Sequence, residues 1–361
     1  MKYPIRASGA ESRVHLNSRR YRCGIELKEA LLATCFLAGS LTAAADPGVT
    51  QGVPLRNQNP FLQIFGLPPF QSAALTAGSA LDYRVSFDIV NHAELGANML
   101  EDISIDGESH FLTLSLRRGM TDRFELGLDI PFVGHAGGFL DNAIESWHDL
   151  LGLSNSKRRG PDNQLGIRYS NAGLARYELN SAVFGIGDIQ LTAAMPLRRA
   201  DYSDPFSAAI RSSIKIPTGA ADELRGSGAA DLSLGLYASD RYTVWQRDFA
   251  VSAFAGMLFL GDGDVLPDLQ RSTVPYGGVA ASWWISERFG VSAQLQAEGP
   301  YFDSDVDELG GYSAQLAAGF DLRLRKPGMS LHFSITEDIA AGTTTTPDFG
   351  VHLSIRRAGR N

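Results

Sequence analysis

The stretch FGVSAQLQAE, Phe289 to Glu298, sets Phe289, Val291, Ala293 and Leu295 against Gly290, Ser292, Gln294, Gln296 and Glu298. A period of two is that of an extended strand, whose successive side chains point to opposite faces. LDYRVSFDI repeats it, with Leu81, Tyr83, Val85, Phe87 and Ile89 against Asp82, Arg84, Ser86 and Asp88. FELGLDIPF does so again, with Phe124, Leu126, Leu128, Ile130 and Phe132 against Glu125, Gly127 and Asp129. Which face turns inward decides the fold. In a soluble barrel or sandwich the apolar face fills the core. Here the polar face carries Ser, Gly, Gln and charges of both signs, which suits a wet lumen and leaves the apolar face for lipid.

Twelve such segments follow one another, near 80–91, 109–119, 123–133, 186–197, 205–217, 228–239, 248–260, 273–286, 288–299, 312–325, 329–338 and 347–356. Every second connection is short and polar: MTDR, RRADYS, SDRYTVWQR, SER and KPG. The others are mostly longer, and about fifty residues follow the third strand. Short turns at one end and long loops at the other mark a bacterial outer-membrane barrel. Aromatics fall at the strand ends, Tyr202, Tyr242, Trp245, Trp283 and Trp284 at the turn end and Tyr276, Tyr301 and Tyr312 at the loop end, as two interface girdles would. The last strand, DFGVHLSI, has the polar–Gly–apolar pattern expected to be read by the barrel-assembly machinery, although RRAGRN follows it in place of a terminal aromatic. The fold read from these signs is an all-β, transmembrane, antiparallel up-and-down barrel of about 12 strands over residues 79–361.

The N-terminal part, 1–45, reads as an export signal. Lys28 precedes ALLATCFLAGSLTAAA, and Ala43, Ala44 and Ala45 offer a small-residue cleavage site before Asp46. Both cysteines, Cys23 and Cys35, leave with it, so disulfide and thiolate chemistry are excluded from the mature chain. Removing seven Lys/Arg and three Asp/Glu takes the formal charge from −8 to −12. An exported chain this acidic is a poor partner for nucleic acid. The partners expected instead are outer-membrane lipid and lipopolysaccharide, the assembly machinery during biogenesis, and a small-molecule solute.

Between signal and barrel, 46–78 contains RNQNPFLQIFGLPPF, Arg56 to Phe70. Its apolar residues follow neither helical nor strand spacing, and Pro60, Pro68 and Pro69 interrupt any helix. A run this apolar must be buried, and twelve strands enclose room for an inserted segment. The expectation is a plug rising into the barrel, with Arg56, Asn57, Phe61 and Phe65 as its contact residues, its apolar side chains packing on small Ala and Gly positions of the wall. The alternative is a cap across the periplasmic rim.

Parity places Arg84, Arg117, Arg211, Lys215, Arg323 and Arg356 in the lumen, with Asp82, Asp88, Glu125, Asp129, Asp188, Asp231, Glu298 and Asp321. Gln294, Gln296, His332 and His352 face the same way. Interleaved signs suit ion pairs that cross-link a barrel interior, whereas a selective pore carries a ring of one sign. Arg211 and Lys215 are the candidates for a basic constriction. His332 and His352 should lie nearly opposite each other on the last two strands, as hydrogen-bonded residues beside Ser334 and Ser354 or, with a third ligand, as a metal site.

The long loop GGFLDNAIESWHDLLGL spaces Phe139, Leu140, Ile144, Trp147, Leu150 and Leu151 along one helical face, so a short amphipathic helix is expected there. FDSDVDEL begins like a calcium loop but has Glu308 where glycine is required. No cofactor and no metal are assigned. G-x-S-x-G, H-E-x-x-H and P-loop motifs are absent, and Ser109 and His110, being adjacent on a strand, point to opposite faces. No catalytic residue is therefore assigned.

In order along the chain, PLRNQNPF, NHAE, IDGES, GGFLDNAIESWHDLLGL, GIGDIQL and IKIPTGA resemble the family known as domain of unknown function 3187. The resemblance implies a bacterial outer-membrane barrel and carries no activity or catalytic residue. The functional expectation is a passive or gated channel for small molecules, with a lipid-modifying enzyme or a structural barrel as the alternatives.

Overall fold

Alternation becomes pairing in the computed structural model, which describes residues 52–138, 164–201, 203–339 and 345–359. Strands β1 (Leu81–Ala97), β2 (Glu101–Thr121) and β3 (Phe124–Ala136) form an antiparallel meander. Around the rest of the wall run β7 (Ile189–Arg198), β8 (Ser207–Ile216), β9 (Asp231–Val244), β10 (Arg247–Phe259), β11 (Thr273–Trp284) and β12 (Phe289–Glu298). The circuit ends with β13 (Ser313–Arg323), β14 (Met329–Asp338) and β15 (Phe349–Arg357). Pairing from Tyr83↔Arg357 to Asn91↔Phe349 joins β1 to β15, so these twelve strands close into a barrel. Closure is what lipid demands, since hydrocarbon offers no partner to an unpaired N–H or C=O.

The long connection after β3 is only partly loop. β2 pairs with β3 as far as Glu108↔Ala136, then with β4 (Gly166–Asn171) from Asp106↔Gly166. A hairpin with β5 (Leu174–Leu179) thus lengthens the wall, and β6 (Val183–Ile186) returns the chain against β3 before β7 begins. Only Gly107 separates the two partners of β2. Its φ is 129°, and an added Cβ would stand 2.8 Å from the Ala136 carbonyl, so glycine is needed where the chain leaves and re-enters the wall. The amphipathic helix expected in this connection falls on residues outside those described.

The faces separate as the sequence requires of a membrane barrel. Leu112, Leu126, Leu191, Leu234, Leu316 and Leu353 are exposed on the outside, while Glu125, Arg211, Lys215, Asp231 and Gln296 are buried within. A soluble barrel would show the reverse. At the short-turn end Trp245 and Trp283 rings meet at 5.4 Å, and Tyr312 stands exposed at the other end. Two residues assigned to the loop-end girdle are elsewhere: Tyr276 and Tyr301 are 4% and 1% exposed and turn inward. Tyr276 meets Phe254 of the neighbouring strand, and Tyr301 meets Phe65 of a segment outside the wall, which alternation cannot reveal.

Candidate functional site: the barrel interior and its inserted segment

Residues 52–77 fold as a hairpin inside the barrel. Its turn is made by short polar side chains, which bond their own backbone readily. Asn59 N–H donates to Asn57 Oδ1 at 3.0 Å, and Phe61 N–H to Asn59 Oδ1 at 2.9 Å. One helical turn follows, with Leu62 and Gln63 N–H donating to the Asn59 carbonyl at 2.9 and 2.8 Å. Pro68 and Pro69 then hold the chain extended. The two legs touch where Phe70 N–H donates to the Leu55 carbonyl at 3.2 Å.

The turn lies at the long-loop end and carries the apolar side chains. Phe61 meets the Tyr177 ring edge-on at 5.5 Å, and Phe65 stacks on Tyr301 at 5.3 Å with Phe302 at 5.6 Å. Lower down, Phe70 packs on Phe254 at 5.1 Å. Leu224, Leu266 and Leu309, from three loops that fold inward, complete one cluster with Phe61, Leu62, Ile64 and Leu67. Small wall positions take part as expected, Ala209 and Ala280 in this cluster and Ala317 beside Val53 and Leu55. Aromatic rings supply the ring contacts, because they bury far more area and favour edge and offset contacts.

The hairpin's backbone has no sheet to join, so its polar groups need side-chain partners. The wall supplies them. Arg211 donates to the carbonyls of Ser72 at 2.8 and 3.1 Å and Ala74 at 3.2 Å, and to Glu125 at 2.7 Å. Glu125 in turn accepts from Thr76 N–H at 2.5 Å. Lys215 Nζ donates to the Ile64 carbonyl at 2.9 Å and pairs with Asp188 at 2.7 Å and Asp231 at 3.2 Å. Gly66 is held from both sides: its N–H donates to Asp231 Oδ2, and its carbonyl accepts from Gln190 Nε2, each at 2.8 Å. Asn57 Nδ2 reaches Glu298 at 3.3 Å, and Asn59 Nδ2 reaches Glu94 at 3.2 Å. Gln63 Nε2 donates to the Leu224 carbonyl. Arg211 and Lys215 therefore form no basic constriction, since each is neutralised by carboxylates and spent on the inserted backbone.

The remaining inward residues cross-link one another. Arg117 grips Asp129 through two bonds of 3.0 and 2.8 Å, and Arg356 holds Asp82 through both carboxylate oxygens. Gln294, Gln296 and Glu298 form a ladder along β12, with Gln296 Nε2 2.7 Å from Glu298. His332 and His352 are diagonal rather than opposite, since His332 faces Ser354 and His352 faces Ser334. Their rings lie 5.6 Å apart, but each bonds an aspartate: His332 with Asp321 at 3.1 Å and His352 with Asp88 at 2.6 Å. Arg323 sits at the short-turn rim, 3.8 Å above the Trp284 ring. Arg56 and Arg84 line a cavity between the hairpin and the wall. Among the described residues no group of three or more His, Cys, Asp or Glu is arranged to hold a metal ion.

One cluster escaped the sequence. Ser109 Oγ lies 2.8 Å from both His92 Nε2 and His135 Nδ1, all three buried, and His135 Nε2 is 3.2 Å from the Leu224 carbonyl. A carbonyl only accepts, so in the neutral ring His135 carries its proton on Nε2 and accepts from Ser109 on Nδ1. His92 then donates to Ser109. These residues come from β1, β2 and β3, and register brings them together; the adjacent His110 could not have signalled it. The chain ends on the same carbonyl that Gln63 of the hairpin uses, so it ties the wall to the turn.

Comparison with known proteins agrees with this architecture. The profile of the family described as "Protein of unknown function (DUF3187)" matches residues 30–358. No curated protein matches in sequence. Among solved structures, the COG4313 outer membrane channel from Pseudomonas putida F1 aligns at a TM-score of 0.52 and 14% identity, covering 81% of this chain and 99% of its own. The NanC porin aligns at 0.42 and 8%, covering 77% and 99%. The Ralstonia pickettii toluene transporter TbuX aligns at 0.39 and 11%, covering 78% and 90%. At these identities the first likeness shows the outer-membrane barrel fold, and the other two carry no argument.

Proposed function

The chain belongs to the DUF3187 family of proteins of unknown function, and we propose that it is a passive, gated channel for small molecules in the bacterial outer membrane. One observation carries this reading. The hairpin that fills the lumen is bound to the wall by side-chain hydrogen bonds and apolar packing, not by strand pairing. Such bonds are individually worth about 0.5–3 kcal/mol net and can be exchanged for water. A filler held this way can leave the lumen while the twelve strands keep their own bonds. The role of 46–78 is then that of a gate, reached from the periplasm after removal of an export signal over 1–45. Lipid, lipopolysaccharide and the assembly machinery are the partners that follow from an outer-membrane site.

Purified protein in planar bilayers tests the proposal. It should conduct weakly or in brief openings, and a bilayer as silent as one without protein, under all voltages, would refute it. The competing reading, lipid hydrolysis, has one observation behind it: the Ser109–His135–carbonyl relay resembles a nucleophile and base. Against it, Ser109 is fully buried and its oxygen already receives a bond from His92. Hydrolysis of added phospholipid that disappears in Ser109→Ala would establish the enzyme in place of the channel.

A further inference from the structure

The hairpin does not fill the lumen completely. A cavity of about 90 Å³ remains toward the short-turn end, between the hairpin and the wall of β1, β2, β3 and β15. A smaller one of about 20 Å³ adjoins it, sharing Pro54, Arg84 and Arg356. A water needs about 10–15 Å³, so the larger space holds several waters or one solute of a few heavy atoms.

Its lining is unusual in charge. Five guanidinium groups, Arg56, Arg84, Arg117, Arg211 and Arg356, face four carboxylates, Asp82, Asp88, Glu125 and Asp129. Three of the arginines are matched by Asp129, Glu125 and Asp82 respectively, and Asp88 is taken by His352. Arg56 differs. Its guanidinium stands 5.9 Å over the Phe111 ring and, among the described residues, makes no hydrogen bond or ion pair. Asp88 and Asp129 act on it only at longer range. Arg84 is drawn by Asp82 and Asp321 but repelled by Arg356 and Arg117. Arg56 therefore presents to the cavity a planar fork of donors without an acceptor among the described residues.

We infer that this cavity binds a small carboxylate-bearing solute, recognised by Arg56 with Arg84. The inference rests on the channel reading and names the class of solute. A guanidinium matches a carboxylate through two parallel bonds, whereas a cation would meet five arginines. Four carboxylates around the space disfavour a doubly charged anion, so a monoanion fits best. Because Arg56 stands on the hairpin and Arg84 on β1, the solute joins gate to wall at the end from which the gate would move.

Full-length protein in detergent micelles, titrated with sodium acetate by calorimetry at constant ionic strength, tests this. Sodium phosphate and tetramethylammonium chloride serve as the dianion and cation probes. Acetate should bind saturably, with affinity at least tenfold lower in Arg56→Gln and in Arg84→Gln. Arg56→Lys, which keeps the charge but not the fork, should fall between. Arg198→Gln, in an exposed turn beside Asp204, should bind as the parent does. Heat-modifiable migration on gels confirms that each variant is folded. Absence of saturable acetate binding in the folded parent overturns the inference, as does binding unchanged in Arg56→Gln. Tighter binding of phosphate or of tetramethylammonium overturns the solute class. The channel reading is judged separately, by conductance in acetate-free chloride, so either can fail alone.

Discussion

Gly66→Val should unseat the hairpin. At Gly66 a Cβ would lie 3.0 Å from both the Asp231 and Lys215 Cβ atoms, contacts that leave no room for two further methyl groups. To fit valine the leg must move away, which breaks the bond from Gly66 N–H to Asp231 and that from Gln190 to the Gly66 carbonyl. A bond to a charged acceptor is worth about 1.5–3 kcal/mol and a neutral one about 0.5–1.5, so their loss costs about 2–4 kcal/mol. If the leg stays instead, overpacking costs about 1–3 kcal/mol. The wall is unaffected, because its strand pairs do not involve residue 66. The cost, about 1–4 kcal/mol whichever way the leg responds, therefore falls on the equilibrium between hairpin in and hairpin out. At 1.4 kcal/mol per tenfold, the open fraction should rise by about one to three orders of magnitude. Single-channel recording in planar bilayers reads this as open probability, with heat-modifiable migration as the folding control. A folded Gly66→Val barrel with the open probability of the parent would refute the reasoning.

Phe61→Ala combined with Phe65→Ala should open the path partly. Each truncation costs about 3–5 kcal/mol of packing, and Arg56→Ala should open it less, as solute-uptake rates in liposomes would show. Lys215→Met leaves Asp188 and Asp231 buried without their cation, a loss of about 3–5 kcal/mol, and should raise conductance and lower the unfolding temperature together. Deleting Phe349–Ile355 exposes the edges of β1 and β14 and should abolish assembly, read as loss of the heat-modifiable band from the outer-membrane fraction.

The wall was legible because alternation reports which face each residue takes, and a twelve-strand circuit with short and long connections admits few closures. Arg211, Lys215, Glu125 and Asp231 could be turned inward by parity alone. What each would meet could not be read, since their partners are backbone groups of a segment outside the sheet. The same reason hid Tyr301, whose inward ring answers Phe65 rather than a membrane interface, while Tyr276 turns inward onto Phe254 of β10. Cross-strand neighbours were illegible where they depend on register. His92, Ser109 and His135 meet across three strands, and His332 and His352 sit one diagonal step from the placement expected. The hairpin of β4 and β5 reads as loop in the sequence because its strands are only six residues each.

The gate itself is tested most directly by removing it. With Val53–Phe70 deleted and β1 intact, the barrel retains every strand pair and should fold. Its single-channel conductance should then be large and sustained where that of the intact chain is small and brief. A folded deletion barrel that conducts no more than the parent would contradict the claim that residues 53–70 close the lumen.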